Sequence, residues 1–192
     1  MSQRAKTIIK AAIFLLVLTV ILVVCNFIAQ PVWMWSSQYD RIHGFYEEPE
    51  DTIETVFLGS SQVEYGISPM ELYDQDGICA YNLATASQPV LASYYWLEEA
   101  YRLHSGTLNT VVLEVEMLKK DSASSWYHMA IDPMKFSSVK LSAVKAYSSD
   151  FPDFLQNMIP LLGYHERWQD LTDEDFKKSS YEPLTCIRGA VC

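Results

Sequence analysis

The stretch Val56-Phe57-Leu58-Gly59-Ser60-Ser61 runs from an apolar segment straight into two hydroxyls. A serine hydroxyl attacks a carbonyl efficiently only when a base takes its proton. Acyl transfer also requires N–H donors aimed at the oxyanion that develops. A tight strand-to-helix turn supplies access and unspent backbone amides together. Gly59 allows such a turn, and Ser61 is the first residue after it able to face a cleft. Ser61 is therefore the candidate catalytic nucleophile. The plainer reading is an ordinary turn of small polar residues, and the tripeptide alone fits that reading better.

A base is harder to find. Downstream of Ser61 stand His104, His128 and His165, none with an aspartate three residues before it. The one Asp-x-x-His is Asp40 to His43, upstream, where an exposed linker histidine is the expectation. His165, between Tyr164 and Glu166, reads as packed or solvated. Four cysteines are present: Cys25, Cys79, Cys186 and Cys192. No two have Cys-x-x-Cys spacing, so no metal centre, redox pair or cofactor is expected. A disulfide suits an exporting compartment, but the spacing selects no partners, and buried or free thiols are the expectation.

The elements that must position Ser61 follow from the hydropathy pattern. Ile53 to Leu58 reads as a short strand rich in apolar and β-branched residues. Ser68 and Pro69 suit the cap and first turn of a short helix. Ile78 to Leu83 is a second strand, entered from Asp76-Gly77. Pro89 to His104 is a helix with Val90, Leu91, Tyr94, Leu97 and Tyr101 on one stripe, Ser87 as its cap and Gly106 as its stop. Thr110 to Val115 is a third strand. Alternating strands and helices indicate a parallel sheet packed by helices, and ligands on such sheets sit at the carboxyl ends of the strands. Here those ends are Gly59 to Ser61, Asn82 to Gln88 and Glu114 to Met117, so polar residues collect where a site is expected. The aromatics Tyr94, Tyr95, Trp96 and Tyr101 read as packing residues, with a carbohydrate platform as the alternative. Beyond Lys120 no strand is expected. Ser137 to Met158 reads as helix in two pieces broken at Pro152, and Leu171 to Phe176 as a capped helix start.

Ala11 to Ala29 is almost wholly apolar. A bilayer core of about 30 Å takes roughly 20 such residues in a helix. That is longer than the roughly 7–15 residues of a signal-peptide core, and no small-x-small cleavage site follows. A signal anchor is favoured over a cleaved signal. Arg4, Lys6 and Lys10 precede the segment with no acid among them. Positive charge stays inside, which puts the remainder on the extracytoplasmic side of the cell membrane, with Trp33 and Trp35 at the interface. The chain has 14 basic and 24 acidic residues. Without the three leading bases, the outer part carries a net charge of about −13. Such a surface repels nucleic acid and anionic headgroups, so no nucleic-acid partner is expected. The organisation is a cytoplasmic N-terminus (1–10), a transmembrane anchor (11–29), a linker (30–51), an α/β core (52–118) and a mostly helical insertion or truncated remainder (119–192).

The segments TVFLGSSQVEYGISPMELY, AYNLATASQP and VVLEVEML, in that order, resemble the extracytoplasmic SGNH/GDSL-type hydrolases, in particular the membrane-anchored D-alanyl-transfer and alginate O-acetylation branches. The resemblance covers residues 51 to 118, and GYHERWQDLTDEDF also looks like a segment of these proteins. It implies a three-layer, flavodoxin-like parallel sheet, here incomplete at the C-terminal side. It implies that Ser61 is the nucleophile, that Gly59 belongs to its turn, and that Ser60 takes the place of the usual Asp. The family's oxyanion glycine follows the second strand, where this chain has Asn82-Leu83-Ala84-Thr85. Asn82 and Ala84 are accordingly the further oxyanion or substrate candidates. The family's Asp-x-x-His has no counterpart after Ser61.

Two functions follow as expectations. One is a membrane-anchored serine acyl hydrolase or O-acyltransferase acting on envelope glycan or an acyl donor, with this copy possibly incomplete and inactive. The other is an anchored interaction or assembly protein without chemistry. A histidine within reach of Ser61 would favour the first, and an isolated serine the second.

Overall fold

The computed structural model describes residues 2–35, 40–119 and 124–177. In chain order the helices are α1 (Gln3–Ala29), α2 (Asp40–Phe45), α3 (Ser61–Gly66), α4 (Pro69–Asp76) and α5 (Val90–His104). They continue with α6 (Ser124–Ile131), α7 (Ser138–Tyr147), α8 (Phe151–Met158), α9 (Pro160–Gly163) and α10 (Asp173–Lys177). The strands are β1 (Thr55–Leu58), β2 (Ala80–Asn82) and β3 (Thr110–Leu113). The chain divides into two compact units. One joins Met1–Val32 to Asp150–Lys178, and the other is built on Trp33–Ser149.

In the first unit, α1 starts at Ser2, whose hydroxyl accepts from the Ala5 N–H at 3.2 Å. Its 27 residues span about 40 Å at the usual helical rise. No part of its most apolar window is buried. The chain thus carries one N-terminal helix long and apolar enough to cross a membrane. The rest of this unit, from α8 to α10, is helical; α9, α10 and the turn between them pack at the C-terminal end of α1, and α8 packs on α9.

The second unit is an α/β sheet unit with strand order β2-β1-β3, all parallel. Its register sets Phe57 beside Asn82 and Val112, and Val56 beside Tyr81 and Val111. Strand side chains alternate between faces. On one face Phe57 and Ala80 pack with Val63 of α3, Ala84, Ile67 and Leu72. On the other, the ring of Tyr81 meets Phe45 of α2 edge-on at 5.4 Å, and Phe45 meets Trp96 of α5 at 6.0 Å. The chain leaves β1 through α3 and α4 to β2 on one side, and returns from β2 through α5 to β3 on the other side of β1.

Several local readings change. The stretch read as a linker contributes Ile42 and Phe45 to the core, at 2% and 0% exposure, because α2 closes the sheet face that α5 alone leaves open. Ser87 does not cap α5. It sits at φ 50°, and Pro89 takes the cap position without a side-chain bond. Pro152 does not break a helix. It occupies the first turn of α8, where its missing N–H costs nothing, and Asp150 caps that helix through the Asp153 N–H at 2.9 Å. Cys79 is disulfide-bonded, against the expectation of a thiol, while Cys25 is free. Cys186 and Cys192 lie outside the described residues. Ser68 and Pro69 cap and open α4 as read. Finally, the third strand forms as read, and β3 is exposed along its whole length.

Candidate functional site at the carboxyl ends of β1 and β3

In a sheet ordered this way, the crevice lies where the connections diverge, outside the carboxyl ends of β1 and β3. The chain puts Gly59-Ser60-Ser61 at one lip and Glu114 to Glu116 at the other. Two pairs bridge them. The Glu114 carboxylate accepts from the Ser60 N–H at 2.6 Å and from the Ser60 hydroxyl at 3.0 Å. The Gln62 side-chain amide donates to Glu116 at 2.9 Å.

Gly59 is required here by close approach, not by a left-handed backbone. A Cβ on it would strike Val63 Cγ2 and lie 2.7 Å from Glu114 Oε2 and 2.9 Å from Glu114 Cβ. Removing the side chain lets Val63 and Glu114 close over the turn. Ser60 is thereby buried, with its hydroxyl committed to Glu114. Ser61, the next residue, is exposed as the first residue of α3. Among the described residues nothing is hydrogen-bonded to its hydroxyl, and the N–H groups of Ser61 and Gln62 are also unspent.

The expected second oxyanion donor is not available in this arrangement. The Ala84 N–H donates to Asn82 Oδ1 at 3.1 Å. The Asn82 amide in turn donates to the Val63 and Ile67 carbonyls at 2.9 and 3.2 Å. Asn82 is a buried clamp that ties the end of α3 to β2. The structure brings Gly59, Ser60 and Ser61 together with Glu114, and leaves Asn82 and Ala84 bonded to one another.

Three of the four histidines are engaged elsewhere. A His43 ring nitrogen lies 3.2 Å from the Met34 carbonyl oxygen, and His128 faces Asp132 at 3.4 Å. His165 lies 2.6 Å from the Leu162 carbonyl oxygen. His104 is buried against Phe45, neither ring nitrogen has a partner, and burial holds its pKa below the ordinary histidine value. Among the described residues no group of three or more His, Cys, Asp or Glu side chains could hold a metal ion.

Sequence reasoning missed one buried pair beside the turn. Glu64 of α3 is 4% exposed, and its carboxylate meets the Arg41 guanidinium. Burial pushes the Glu64 carboxyl up, and Arg41 opposes that shift. Arg41 also donates to the Glu64 carbonyl at 2.8 Å. The pair was illegible because Arg41 lies in the stretch read as a linker. The aromatics of α5 divide between the two readings: Tyr95 and Trp96 are buried, whereas Tyr94 and Tyr101 are 51% and 61% exposed.

No protein-family model, curated protein or solved structure matches the chain. Geometry and chemistry alone carry the functional reading.

Proposed function

We propose that the chain is a membrane-anchored, SGNH-like serine acyl hydrolase or O-acyltransferase of the cell envelope, with Ser61 as the residue acylated. The observation that carries this reading is the contrast between two adjacent hydroxyls. Ser60 is buried and held by Glu114, whereas Ser61 is exposed at the β1/β3 crevice with its own N–H and that of Gln62 unspent. A hydroxyl beside free amide donors is what an acyl-enzyme and its oxyanion require. The two adjacent amides of Ser61 and Gln62 replace the Ala84 amide as donors in this reading. This reading requires a base among the residues of the chain other than those described.

The anchor is α1. Its basic leading residues set the sheet unit on the extracytoplasmic side, and a disulfide at Cys79 suits the oxidising conditions there. The envelope material acylated or deacylated is a glycan or a carrier-bound acyl group.

The test is labelling of the full chain with a fluorophosphonate. Label that disappears in Ser61→Ala and persists in Ser60→Ala supports the reading. Absence of label, or label indifferent to Ser61→Ala, removes it.

Among the described residues no base is bonded to Ser61, which favours a second reading, an anchored assembly protein that keeps the sheet and performs no reaction. Removing a triad member typically costs several orders of magnitude in rate, so an unassisted Ser61 would turn over negligibly. The same labelling separates the two, since the second reading requires no reaction at Ser61.

A further inference from the structure

In the unit that holds α1, Arg167, Asp175 and Asn26 turn inward at the end of α1, while Asp150, Glu166, Asp170, Asp173 and Glu174 are exposed. Arg167 donates to the Ala29 and Gln30 carbonyls at 3.1 and 2.9 Å, which satisfies the open end of α1. Its other amine donates to Asp175 at 2.7 Å. Asp175 is 1% exposed and also accepts from the Thr172 N–H at 2.9 Å. Burial alone would raise its pKa. The Thr172 N–H and the Arg167 guanidinium outweigh burial and hold it below the usual carboxylate value. The Leu161 N–H donates to Asn26 Oδ1 at 3.0 Å. These bonds fasten α9, the following turn and α10 to the last turns of α1.

Several large apolar side chains nevertheless point outward. Phe151, Trp168 and Phe176 are 69%, 71% and 59% exposed, and Ile159 and Leu162 are exposed beside them. α8 carries Phe151, Phe154, Leu155 and Met158 at helical spacing on one stripe, and none of its residues is buried. Soluble units seldom show such a concentration of large apolar side chains, whereas helices lying at a bilayer surface do. Between α1 and this segment lies a cavity of ≈ 280 Å³ with an almost entirely apolar lining, including Cys25, Ile28 and Ala29 on one wall and Leu161, Trp168 and Phe176 on the other. One of its lining residues, Cys25, is exposed on α1.

We propose that residues 150–177 form a second membrane contact, a collar around the end of α1 whose cavity holds a hydrocarbon chain of a bilayer phospholipid. The occupant follows from the lining and the charge. A wall with almost no polar surface selects hydrocarbon over a headgroup or a sugar. Residues 150–177 contain seven acids and two bases, so anionic headgroups are repelled and attraction comes from the chain alone. A zwitterionic phospholipid meets both conditions. The collar rests on α1 crossing a membrane and is independent of any reaction at Ser61.

The experiment uses the full chain in phosphatidylcholine vesicles that contain a phosphatidylcholine with a diazirine on its acyl chain. After illumination, adducts are mapped by mass spectrometry. The expected result is label on residues 25–29 and also on residues 161–176. Label confined to residues 3–24 overturns the collar and leaves the anchor standing. Label absent from α1 overturns both. Brominated-chain phosphatidylcholine gives a second readout, taken as the difference between the wild type and Trp168→Phe. Quenching of the Trp168 emission is expected, and unquenched emission overturns the collar. A marked gain in label on replacing phosphatidylcholine with phosphatidylglycerol also overturns it, by making a headgroup the ligand. Chain-to-chain cross-links through Cys25 in place of lipid adducts overturn it in favour of a second copy.

Discussion

Gly59→Ala is the most informative single change to the candidate site. The added methyl strikes Val63 Cγ2 and meets Glu114 at both its Cβ and its Oε2. The end of the Glu114 side chain can swing away, but its Cβ and the β-branched Val63 cannot do so cheaply. Overpacking of this kind costs about 1–3 kcal/mol. Moving the carboxylate also breaks its bonds to the Ser60 N–H and hydroxyl, and bonds to a charged group are worth about 1.5–3 kcal/mol. The expected total is about 2.5–6 kcal/mol. With a urea slope of about 1–3 kcal/mol per molar, the midpoint falls by at least about 1 M. The assay is urea unfolding of the full chain in lipid nanodiscs, followed through the fluorescence of Trp96, which is 0% exposed in the sheet unit. Glu114→Ala is the control. It forfeits the same bonds without the clash, so the double variant loses less than the sum of the two singles by about the bond contribution. A Gly59→Ala protein within about 0.5 kcal/mol of wild type, or strict additivity with Glu114→Ala, refutes the close-packed turn.

Two further changes probe the buried charges. Arg41→Ala leaves the Glu64 carboxylate without its partner, and breaking such a pair costs about 3–5 kcal/mol near neutral pH. Because the folded Glu64 pKa is raised, the folded state holds its proton more readily than the unfolded chain, so the penalty shrinks as pH falls. Urea midpoints at pH 7 and pH 5 should converge between variant and wild type, and an equal gap at both contradicts the assignment. His104 acts in the opposite sense. Burial lowers its folded pKa, with Asp51 and Glu50 opposing, so the unfolded chain takes up a proton that the folded chain resists. Stability should fall as pH drops below about 6.5, and His104→Phe should flatten that limb. A wild-type midpoint that does not change between pH 7.5 and pH 5 would sink this reading.

The sheet unit was legible because its signals are local. Val56-Phe57-Leu58, Ala80 to Asn82 and Thr110 to Leu113 are apolar runs between turn residues, and the helical stripe of α5 separates the last two. Ser68 and Pro69 mark the start of α4 without reference to anything distant. What escaped the reading depends on partners far along the chain. The role of α2 rests on Phe45 meeting Tyr81, Trp96 and His104, contacts that no local pattern encodes. The purpose of Gly59 appears only when Glu114, 55 positions later, closes over it. Asn82 looked like an amide free for a ligand because its side chain's partners, Val63 and Ile67, are visible only once α3 has folded back. The exposure of β3 was equally illegible, because its apolar run says nothing of which elements cover it. The collar was invisible for a different reason. Its composition is that of an ordinary amphipathic segment, and the exposure of Phe151, Trp168 and Phe176, the apolar cavity and the inward turn of Arg167 and Asp175 are visible only in the fold.

The most direct measurement of the central claim is to expose the full chain to an activated ester such as p-nitrophenyl acetate, quench with acid, and locate the acyl group by peptide mass spectrometry. The account requires the acetyl group on Ser61, with Ser60 unmodified and the adduct lost in Ser61→Ala. An acetyl group on Ser60, or none on the peptide that spans residues 55–66, would contradict it.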